Sequence, residues 1–216
     1  MVQLSLDVGR GLVAPSPLGP GAWLLPGFAL PRESELLEAV EAVQLASPFR
    51  HLQTPGGQPM SVAMTNTGEL GWHSDAKGYR YEPIDPTHGR PWPTMPDCFR
   101  KLAQDAAVAG GFANFAPDAC LINRYEVGAR LTPHRDEDER DFSQPIVSVS
   151  LGIPAVFQFG GTSRSGPFRR VRLEHGDVVV WGGPSRLVFH GILPIEPAEH
   201  ARLGPRRVNL TFRRAG

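Results

Sequence analysis

The stretch IVSVSLGIPAVFQFGG, residues 146–161, decides the fold class of this chain. Its halves, IVSVSLGI and AVFQFGG, are short runs rich in branched and aromatic residues, bounded by glycine and proline. Such runs are typical of β-strands joined by turns. Five further runs of this kind occur after residue 115: ACLINRYEV, RRVRLEH, DVVVWGG, RLVFHGI and RVNLTFR. Seven short strands at this spacing predict an antiparallel sandwich or jelly roll.

Upstream of residue 115 the sequence predicts two helices together with strands and loops. GAWLLPGFAL, residues 21–30, is apolar and contains a proline, so we interpret it as an edge strand. ESELLEAVEAVQLAS, residues 33–47, has apolar residues at helical spacing. PDCFRKLAQDAAVAG, residues 96–110, predicts a second helix that starts near a proline and ends at glycine. Residues 52–95 are rich in Gly, Pro, Thr and Asn and predict strands and long loops.

The composition fits one folded domain. The chain has 216 residues, and 41% of them are hydrophobic, which is enough for a core. Lys plus Arg and Asp plus Glu both number 22, unlike a strongly basic nucleic-acid-binding protein, although a local basic patch is compatible with this balance. No apolar run approaches the roughly 20 residues of a membrane span. MVQLSLDVGRGLVAPSP, residues 1–17, lacks a signal-peptide pattern, so we expect a cytoplasmic protein with reduced cysteines and no membrane partner.

LTPHRDEDER, residues 131–140, is crowded with acids, and such a run is usually a solvated turn. His134 and Asp136 are two positions apart, however, and on a strand both side chains point to one face and can bind one metal ion. His190 lies on the later run VFHGI. The three residues would form a two-histidine, one-carboxylate triad, which is the signature of non-haem Fe(II) oxygenases.

Other residues compete for these positions. His190 alone could be a core histidine with satisfied hydrogen bonds, and His175 in LEHGDVVVW looks like a turn histidine before a buried strand. Asp138 or Glu139 could replace Asp136 as the carboxylate ligand, although Glu139 faces the other way if the strand continues. The spacing alone leaves these alternatives open.

The last strand-like run places two arginines on one face. Arg207, Asn209, Thr211 and Arg213 alternate, so their side chains share one side of the strand. An unpaired buried charge is costly, and a guanidinium binds a carboxylate through two parallel hydrogen bonds. We therefore expect a dicarboxylate between these arginines, unless both point to solvent on a half-exposed strand. A bulge would exchange Arg207 with Arg206.

The chain resembles the AlkB family of Fe(II)- and 2-oxoglutarate-dependent dioxygenases. The resemblance runs from about residue 20 to the end and is carried by TPGGQPMSVAMTN, GYRYEPIDP, PDACLINRY, IVSVSLGIPAVFQFGG, EHGDVVVWGG and RVNLTFR. It implies a mainly β (α+β) fold, a double-stranded β-helix or jelly roll with two N-terminal helices packed on it. We expect residues 1–216 to form one domain, with 20–115 as helices and nucleotide-recognition loops and 116–216 as the jelly-roll catalytic core.

The resemblance also implies the members of the site. Fe(II) is expected on the catalytic residues His134, Asp136 and His190. The co-substrate 2-oxoglutarate is expected on Asn123, Tyr125, Arg207, Asn209 and Arg213. The substrate is expected on Trp72, Tyr79, Asp138, Arg164, Thr54 and Met64.

Within the substrate set, Trp72 is expected to stack on a nucleobase with the His134 ring on the opposite side, and Asp138 is expected to accept a hydrogen bond from the exocyclic amine. Phosphate contacts are expected from Thr54, Tyr79 and Arg164. The last of these belongs to a basic cluster that is equally typical of a solvated hairpin; its other members are Arg169, Arg170 and Arg172.

The implied activity is oxidative demethylation of alkylated bases, typically 1-methyladenine and 3-methylcytosine, in single-stranded and double-stranded DNA and often in RNA. O2 and 2-oxoglutarate are consumed, succinate and CO2 are formed, and the hydroxylated methyl group leaves as formaldehyde. One alternative is the same oxygenase core acting on another substrate, such as RNA, a protein or a small molecule. A second is a zinc hydrolase, although such an enzyme has no need for two inward arginines. A third is a non-catalytic binding module. One site needs only one chain, so we expect a monomer.

Overall fold

The computed structural model describes residues 14–216, which contain two sheets, one separate hairpin and two α-helices. The helices are α1 (Glu33–Ala46) and α2 (Asp97–Ala109). The strands are β1 (Ser16–Gly19), β2 (Ala22–Leu25), β3 (Arg50–Gln53), β4 (Pro59–Gly68), β5 (Gly71–Asp75), β6 (Gly78–Glu82), β7 (Ala119–Tyr125), β8 (Leu131–His134), β9 (Ile146–Gly152), β10 (Ala155–Phe159), β11 (Arg169–Leu173), β12 (Val178–Trp181), β13 (His190–Ile192) and β14 (Arg207–Arg213). The segment 1–13, which holds most of the stretch without a signal-peptide pattern, lies outside the described residues.

Both predicted helices are confirmed, and both bury their apolar face. The helix α1 carries two acids in its first turn, where the helix dipole favours negative charge. The helix α2 begins after Pro96 and ends at Gly110. Their buried side chains are Leu36, Leu37, Val40 and Val43 in α1 and Phe99, Leu102, Ala103, Ala106 and Ala107 in α2. None of the helices within residues 14–216 is long and apolar enough to cross a membrane.

The larger sheet has eight antiparallel strands in the order β1-β2-β12-β9-β14-β7-β4-β3. One of its faces packs against the two helices and forms the first hydrophobic core. The central strand β14 is buried along its whole length. Val208, Leu210 and Phe212 belong to the core under the helices. The alternation of a strand therefore turns the two arginines of β14 toward the opposite face.

The smaller sheet has four strands in the order β11-β10-β13-β8. A second hydrophobic core, which includes Phe157 of β10 and Trp181 of β12, lies between the two sheets. His190 on β13 stands directly opposite His134 on β8 in the strand register. This sandwich of two antiparallel sheets confirms the predicted jelly roll, and the pairing of β8 with β13 brings both candidate metal-binding histidines into its interior.

The edge position predicted for residues 21–30 is wrong. The strand β2 is the second in the larger sheet, because β1 pairs with its outer side and β12 with its inner side. Pro26 follows the last residue of β2 rather than interrupting the strand. The proline therefore marks the end of a strand, where it removes no hydrogen bond from the ladder.

The expectation that His134 and Asp136 share one strand is also wrong. The strand β8 ends at His134, so Asp136 lies two residues beyond it. The predicted seven C-terminal strands are all present, and β8 is an additional one. The strand β8 is only four residues long and contains a proline, so its sequence lacks the apolar alternation by which a strand is recognised.

Candidate metal centre and co-substrate pocket

His134, Asp136 and His190 converge between the two sheets. The Nε2 atom of His134 lies 3.8 Å from Oδ1 of Asp136, and Nε2 of His190 lies 3.7 Å from Oδ2 of the same carboxylate. All three candidate ligand atoms lie within 4.8 Å of one another. Two metal–ligand bonds of about 2 Å each, the usual length for imidazole and carboxylate, span such gaps. A single metal ion can therefore bind all three side chains.

Backbone carbonyls determine which nitrogen of each histidine is free. The Nδ1 atom of His134 lies 2.9 Å from the carbonyl oxygen of Thr132, and Nδ1 of His190 lies 3.2 Å from that of Val188. A carbonyl only accepts hydrogen bonds, so each Nδ1 carries the proton and each Nε2 keeps its lone pair for a metal ion. Burial, aided by the nearby His134, lowers the pKa of His190 to about 3, so this ring is neutral at physiological pH.

The Asp136 carboxylate is held in the ionised form. Burial alone would raise its pKa, but the Arg213 guanidinium and the two histidines hold that pKa well below its usual value. Arg213 donates to Oδ2 of Asp136 from Nη2 at 3.0 Å and from Nε at 3.2 Å. Arg186 donates to the backbone carbonyl of Asp136 at 2.8 Å. Two buried arginines therefore position Asp136 although it lies outside a strand.

Arg207 is a buried cation with unused hydrogen-bond donors. Its exposed fraction is 1%, and burial lowers its pKa. Its Nη2 donates to Oγ of Ser150, and its guanidinium lies over the Tyr125 ring. Among residues 14–216, its Nε and Nη1 atoms and the nearby Oδ1 of Asn123 have no hydrogen-bond partner. A buried cation without an anionic partner is costly, so this pocket fits a carboxylate ligand. Arg206 is exposed, as the alternation predicts.

Asn209 lies opposite Asn123 in the register of β14 and β7. Its amide nitrogen donates to Oγ of Ser148 and to the carbonyl oxygen of Val149. Its Oδ1 accepts hydrogen bonds from Asn123 at 3.4 Å and from Thr211 at 2.8 Å. All five residues that the resemblance implies for 2-oxoglutarate thus lie on the two adjacent strands β7 and β14.

Three of the six predicted substrate residues touch one another. The separate hairpin β5–β6 carries Trp72 and Tyr79, whose rings stack with centroids 5.5 Å apart. The indole Nε1 of Trp72 donates to Oδ2 of Asp138 at 2.8 Å. Asp138 follows the carboxylate of the metal triad by two residues. An aromatic surface and a second carboxylate therefore lie beside the candidate metal centre.

The other three predicted substrate residues have different surroundings. Arg164, in the loop between β10 and β11, donates to the carbonyl oxygen of Pro133, which precedes the first histidine of the triad. Met64 is buried on β4 and pairs with Asn123. Thr54 lies in the turn between β3 and β4, where its hydroxyl accepts a hydrogen bond from the backbone of Gln58. Of these three, Arg164 and Met64 adjoin the predicted metal and co-substrate residues.

Two arginines of the basic cluster predicted near Arg164 have partners within the protein. Arg169 donates to the carbonyl oxygen of Pro17, and Arg172 pairs with Glu174. Both guanidinium groups are thus engaged within the protein, which agrees better with the solvated-hairpin interpretation for this part of β11.

Sequence reasoning missed the role of Glu139. The run of acids around it suggests a solvated position, yet its side chain is only 1% exposed. Its carboxylate pairs with Arg186 at 3.0 Å and with Arg213 at 3.2 Å and accepts a hydrogen bond from the Tyr81 hydroxyl at 2.8 Å. Burial raises the pKa of Tyr81 well above its usual value, so this hydroxyl stays protonated. No local pattern in LTPHRDEDER distinguishes this acid from its exposed neighbours.

His175 is not part of the triad. It lies in the turn between β11 and β12 and is grouped with Glu33 and His200. The alternative in which it replaces His190 is therefore wrong, and its position as a turn histidine before a buried strand is confirmed.

Comparison with known proteins gives the family. Residues 21–213 match the model of the 2OG-Fe(II) oxygenase superfamily. The chain is 55% identical over 200 residues to the alpha-ketoglutarate-dependent dioxygenase AlkB of Escherichia coli (strain K12), and the match covers 93% of each chain. Alpha-ketoglutarate is another name for 2-oxoglutarate.

A solved structure and a more distant relative agree with this result. The structure of OsALKBH1 superposes with a TM-score of 0.80 at 30% identity, and the match covers 93% of this chain and 99% of that one. A protein of Arabidopsis thaliana named DNA N(6)-methyladenine demethylase ALKBH1A is 40% identical over 47% of this chain and 30% of its own length. The chain therefore belongs to the AlkB family of the 2OG-Fe(II) oxygenase superfamily and is an Fe(II)- and 2-oxoglutarate-dependent dioxygenase.

Proposed function

We propose that this dioxygenase demethylates N-alkylated nucleobases, with 1-methyladenine and 3-methylcytosine in DNA as its main substrates. The observation that carries the proposal is the Trp72–Asp138 contact beside the metal triad. An aromatic ring provides a stacking surface for any base. A carboxylate accepts a hydrogen bond from an exocyclic amine and favours a base made cationic by alkylation at a ring nitrogen. The name of the Arabidopsis relative, a DNA demethylase, supports the same class of substrate.

The proposal assigns Fe(II) to His134, Asp136 and His190. Bound iron supplies the activation of O2 with which the methyl group is hydroxylated, while 2-oxoglutarate is converted to succinate and CO2. The protein contributes two imidazole Nε2 atoms and one ionised carboxylate. The apolar side chains of Phe157 and Trp181 line the space next to His190 and keep water from the reacting centre.

For 2-oxoglutarate we propose the pocket on β7 and β14. Arg207 binds the remote carboxylate with the donors that it leaves free in the described part of the protein. Arg213, which already touches Asp136, binds the carboxylate nearer to the metal. The remaining contacts come from Asn123, Tyr125 and Asn209, which line the same face of the sheet.

For the nucleic acid we propose that Trp72 stacks on the target base, that Asp138 binds its exocyclic amine and that Met64 contributes apolar contact. Phosphates are contacted by Thr54, Tyr79 and Arg164. In a duplex the target base must first be rotated out of the helix, whereas a single strand presents it directly. Single-stranded and double-stranded DNA are both proposed substrates, and RNA is the second candidate.

We further propose that residues 1–216 form one domain that acts as a monomer in the cytoplasm. Segment 20–115 carries the nucleotide-recognition hairpin, and segment 116–216 carries the metal and co-substrate residues. Both cysteines are free, which agrees with a reducing compartment.

The test uses the protein with Fe(II), ascorbate, 2-oxoglutarate and a single-stranded DNA oligonucleotide that carries one 1-methyladenine. Mass spectrometry follows the oligonucleotide, and succinate is measured in the same tube. We expect the loss of one methyl group only when 2-oxoglutarate is present. Asp136→Ala should abolish this loss, whereas Glu137→Ala, which removes an exposed acid paired with Arg135, should not.

Parallel reactions with the duplex and with the same sequence as RNA rank the substrates. Succinate formed without loss of the methyl group from any of the three oligonucleotides would contradict the proposed substrate while leaving the oxygenase core intact.

A further inference from the structure

The buried acid Glu139 lies between two cations. Its Oε2 atom pairs with Arg186, and its Oε1 atom pairs with Arg213. Both guanidinium groups are almost completely buried, and both also contact Asp136, one at its backbone and one at its carboxylate. Two buried acids thus balance two buried arginines. Since an uncompensated buried charge is costly, this balance requires Glu139 as much as it requires the metal-binding carboxylate.

Arg213 is shared between these two acids. Its Nη2 and Nε atoms donate to Asp136, and Nε also lies 3.2 Å from Oε1 of Glu139. Under the proposed function, the same guanidinium must also bind 2-oxoglutarate. Its affinity for this ligand therefore depends on how firmly the two acids hold it.

Oε1 of Glu139 also accepts the hydrogen bond of Tyr81. Tyr81 lies on β6 directly opposite Trp72 on β5, in the hairpin that forms a sheet of its own. A hydroxyl that donates to Oε1 takes up part of the negative charge that would otherwise hold Arg213. A continuous set of hydrogen bonds and ion pairs thus runs from the hairpin that carries the base-stacking ring, through Glu139 and Arg213, to the carboxylate of the metal triad.

We propose that Glu139 is a positioning residue, and that Tyr81, Glu139 and Arg213 couple binding of the base on the hairpin to binding of 2-oxoglutarate at the metal centre. This inference rests on the proposed function, because it takes the base to bind against Trp72. A base stacked there fixes the hairpin and strengthens the bond from Tyr81 to Glu139. The weakened hold of Glu139 on the Nε atom makes the Arg213 guanidinium more available to the co-substrate. The coupling is reciprocal, so 2-oxoglutarate strengthens binding of the base by the same factor.

The test measures the dissociation constant of 2-oxoglutarate by calorimetry, with Mn(II) in place of Fe(II) and without O2. Each protein is titrated alone and with a saturating single-stranded oligonucleotide that carries 1-methyladenine. For the unaltered protein we expect the oligonucleotide to lower the dissociation constant by about 5-fold or more, the lower end of common coupling factors. For Tyr81→Phe we expect the dissociation constant of 2-oxoglutarate to be the same with and without the oligonucleotide.

Tyr79→Phe is the matched control, because it removes a hydroxyl from the same strand. Its side chain is 46% exposed and stacks on Trp72, and its predicted contact is with phosphate. It should weaken binding of the oligonucleotide but keep the coupling factor at saturation. Glu139→Gln, which keeps the shape and removes the charge, should lose the coupling like Tyr81→Phe, and thermal unfolding verifies that each variant is folded.

The outcomes separate the inference from the function on which it rests. If the unaltered protein binds the oligonucleotide but Tyr81→Phe and Glu139→Gln keep the full coupling factor, the inference is overturned and the proposed function stands. If the unaltered protein does not bind the oligonucleotide, both are overturned.

Discussion

The metal triad can be compared with a second group of one acid and two histidines in the same protein, which consists of Glu33, His175 and His200. In both groups the candidate ligand atoms lie within 4.8 Å of one another. Residue types and distances therefore do not distinguish them. The backbone groups that bond to the histidines do.

In the second group, backbone N–H groups bond to the Nδ1 atoms. The Nδ1 of His175 accepts a hydrogen bond from Gly152 at 2.9 Å, and the Nδ1 of His200 accepts from Arg202 and Leu203 at 3.3 Å each. An N–H group only donates, so in the neutral rings the proton lies on Nε2. The Nε2 atom of His175 points to the Glu33 carboxylate at 3.5 Å. A protonated Nε2 cannot bind a metal ion, whereas the carbonyls beside His134 and His190 leave Nε2 free.

The comparison predicts that the protein binds one metal ion and not two. Asp136→Ala should abolish binding of this ion, with a loss of activity greater than the roughly 10- to 100-fold that removal of a group supporting a ligand typically costs. Glu33→Ala should keep both binding and activity. Elemental analysis of the metal content after dialysis gives the number of metal ions bound per chain. Two equivalents of metal in the unaltered protein, with one lost in Glu33→Ala, would refute the claim that the histidine tautomers prevent the second group from binding a metal ion.

A second prediction concerns the pocket that adjoins only the first group. Arg207→Gln should raise the dissociation constant of 2-oxoglutarate about 30-fold to several thousand-fold, which corresponds to the roughly 2–5 kcal/mol cost of truncating one partner of a buried charge pair. Arg206→Gln changes the adjacent exposed arginine in the same way and should leave the constant unchanged. Calorimetry with Mn(II) and without O2 measures both. Equal effects at the two positions would mean that Arg207 does not bind the ligand.

The smallest expected effect is the change in the free energy of unfolding when a histidine of the second group is replaced. His200→Ala removes the hydrogen bonds that its ring accepts from two backbone amides, and net contributions of such bonds are about 0.5–1.5 kcal/mol. The free energy of unfolding in urea should fall by this order. Added Mn(II) should stabilise this variant and the unaltered protein equally, because His200 is not expected to bind the metal ion. A smaller stabilisation of His200→Ala by the metal would place a metal ion at the second group.

The sequence predicts the members of the first group but not the geometry that allows them to bind one metal ion. The side chains of His134 and Asp136 stay close together although β8 ends at His134. Arg186 holds the backbone of Asp136, and Arg213 holds its carboxylate. Those contacts come from residues 50 or more positions away, and no local pattern shows them. The tautomers depend on carbonyl and amide directions, which only the folded backbone defines.

The fold was more predictable than the partners of charged residues. Apolar spacing predicts both helices, since each buries one continuous face, and runs of branched and aromatic residues predict the C-terminal strands. The alternation in β14 correctly predicts that Arg207 is buried and Arg206 exposed. It cannot predict that Glu139, within a run of acids, lies between two arginines, because burial of a charge depends on partners from distant segments.

The unused donors of Arg207 also bear on how long the protein survives in a cell. A buried cation without an anion raises the free energy of the ligand-free folded state, and a carboxylate ligand removes that cost. A ligand that binds only the folded state stabilises it by about 2.7 kcal/mol at 100 times its dissociation constant. Bound 2-oxoglutarate would then lower the fraction of chains that unfold and are exposed to degradation.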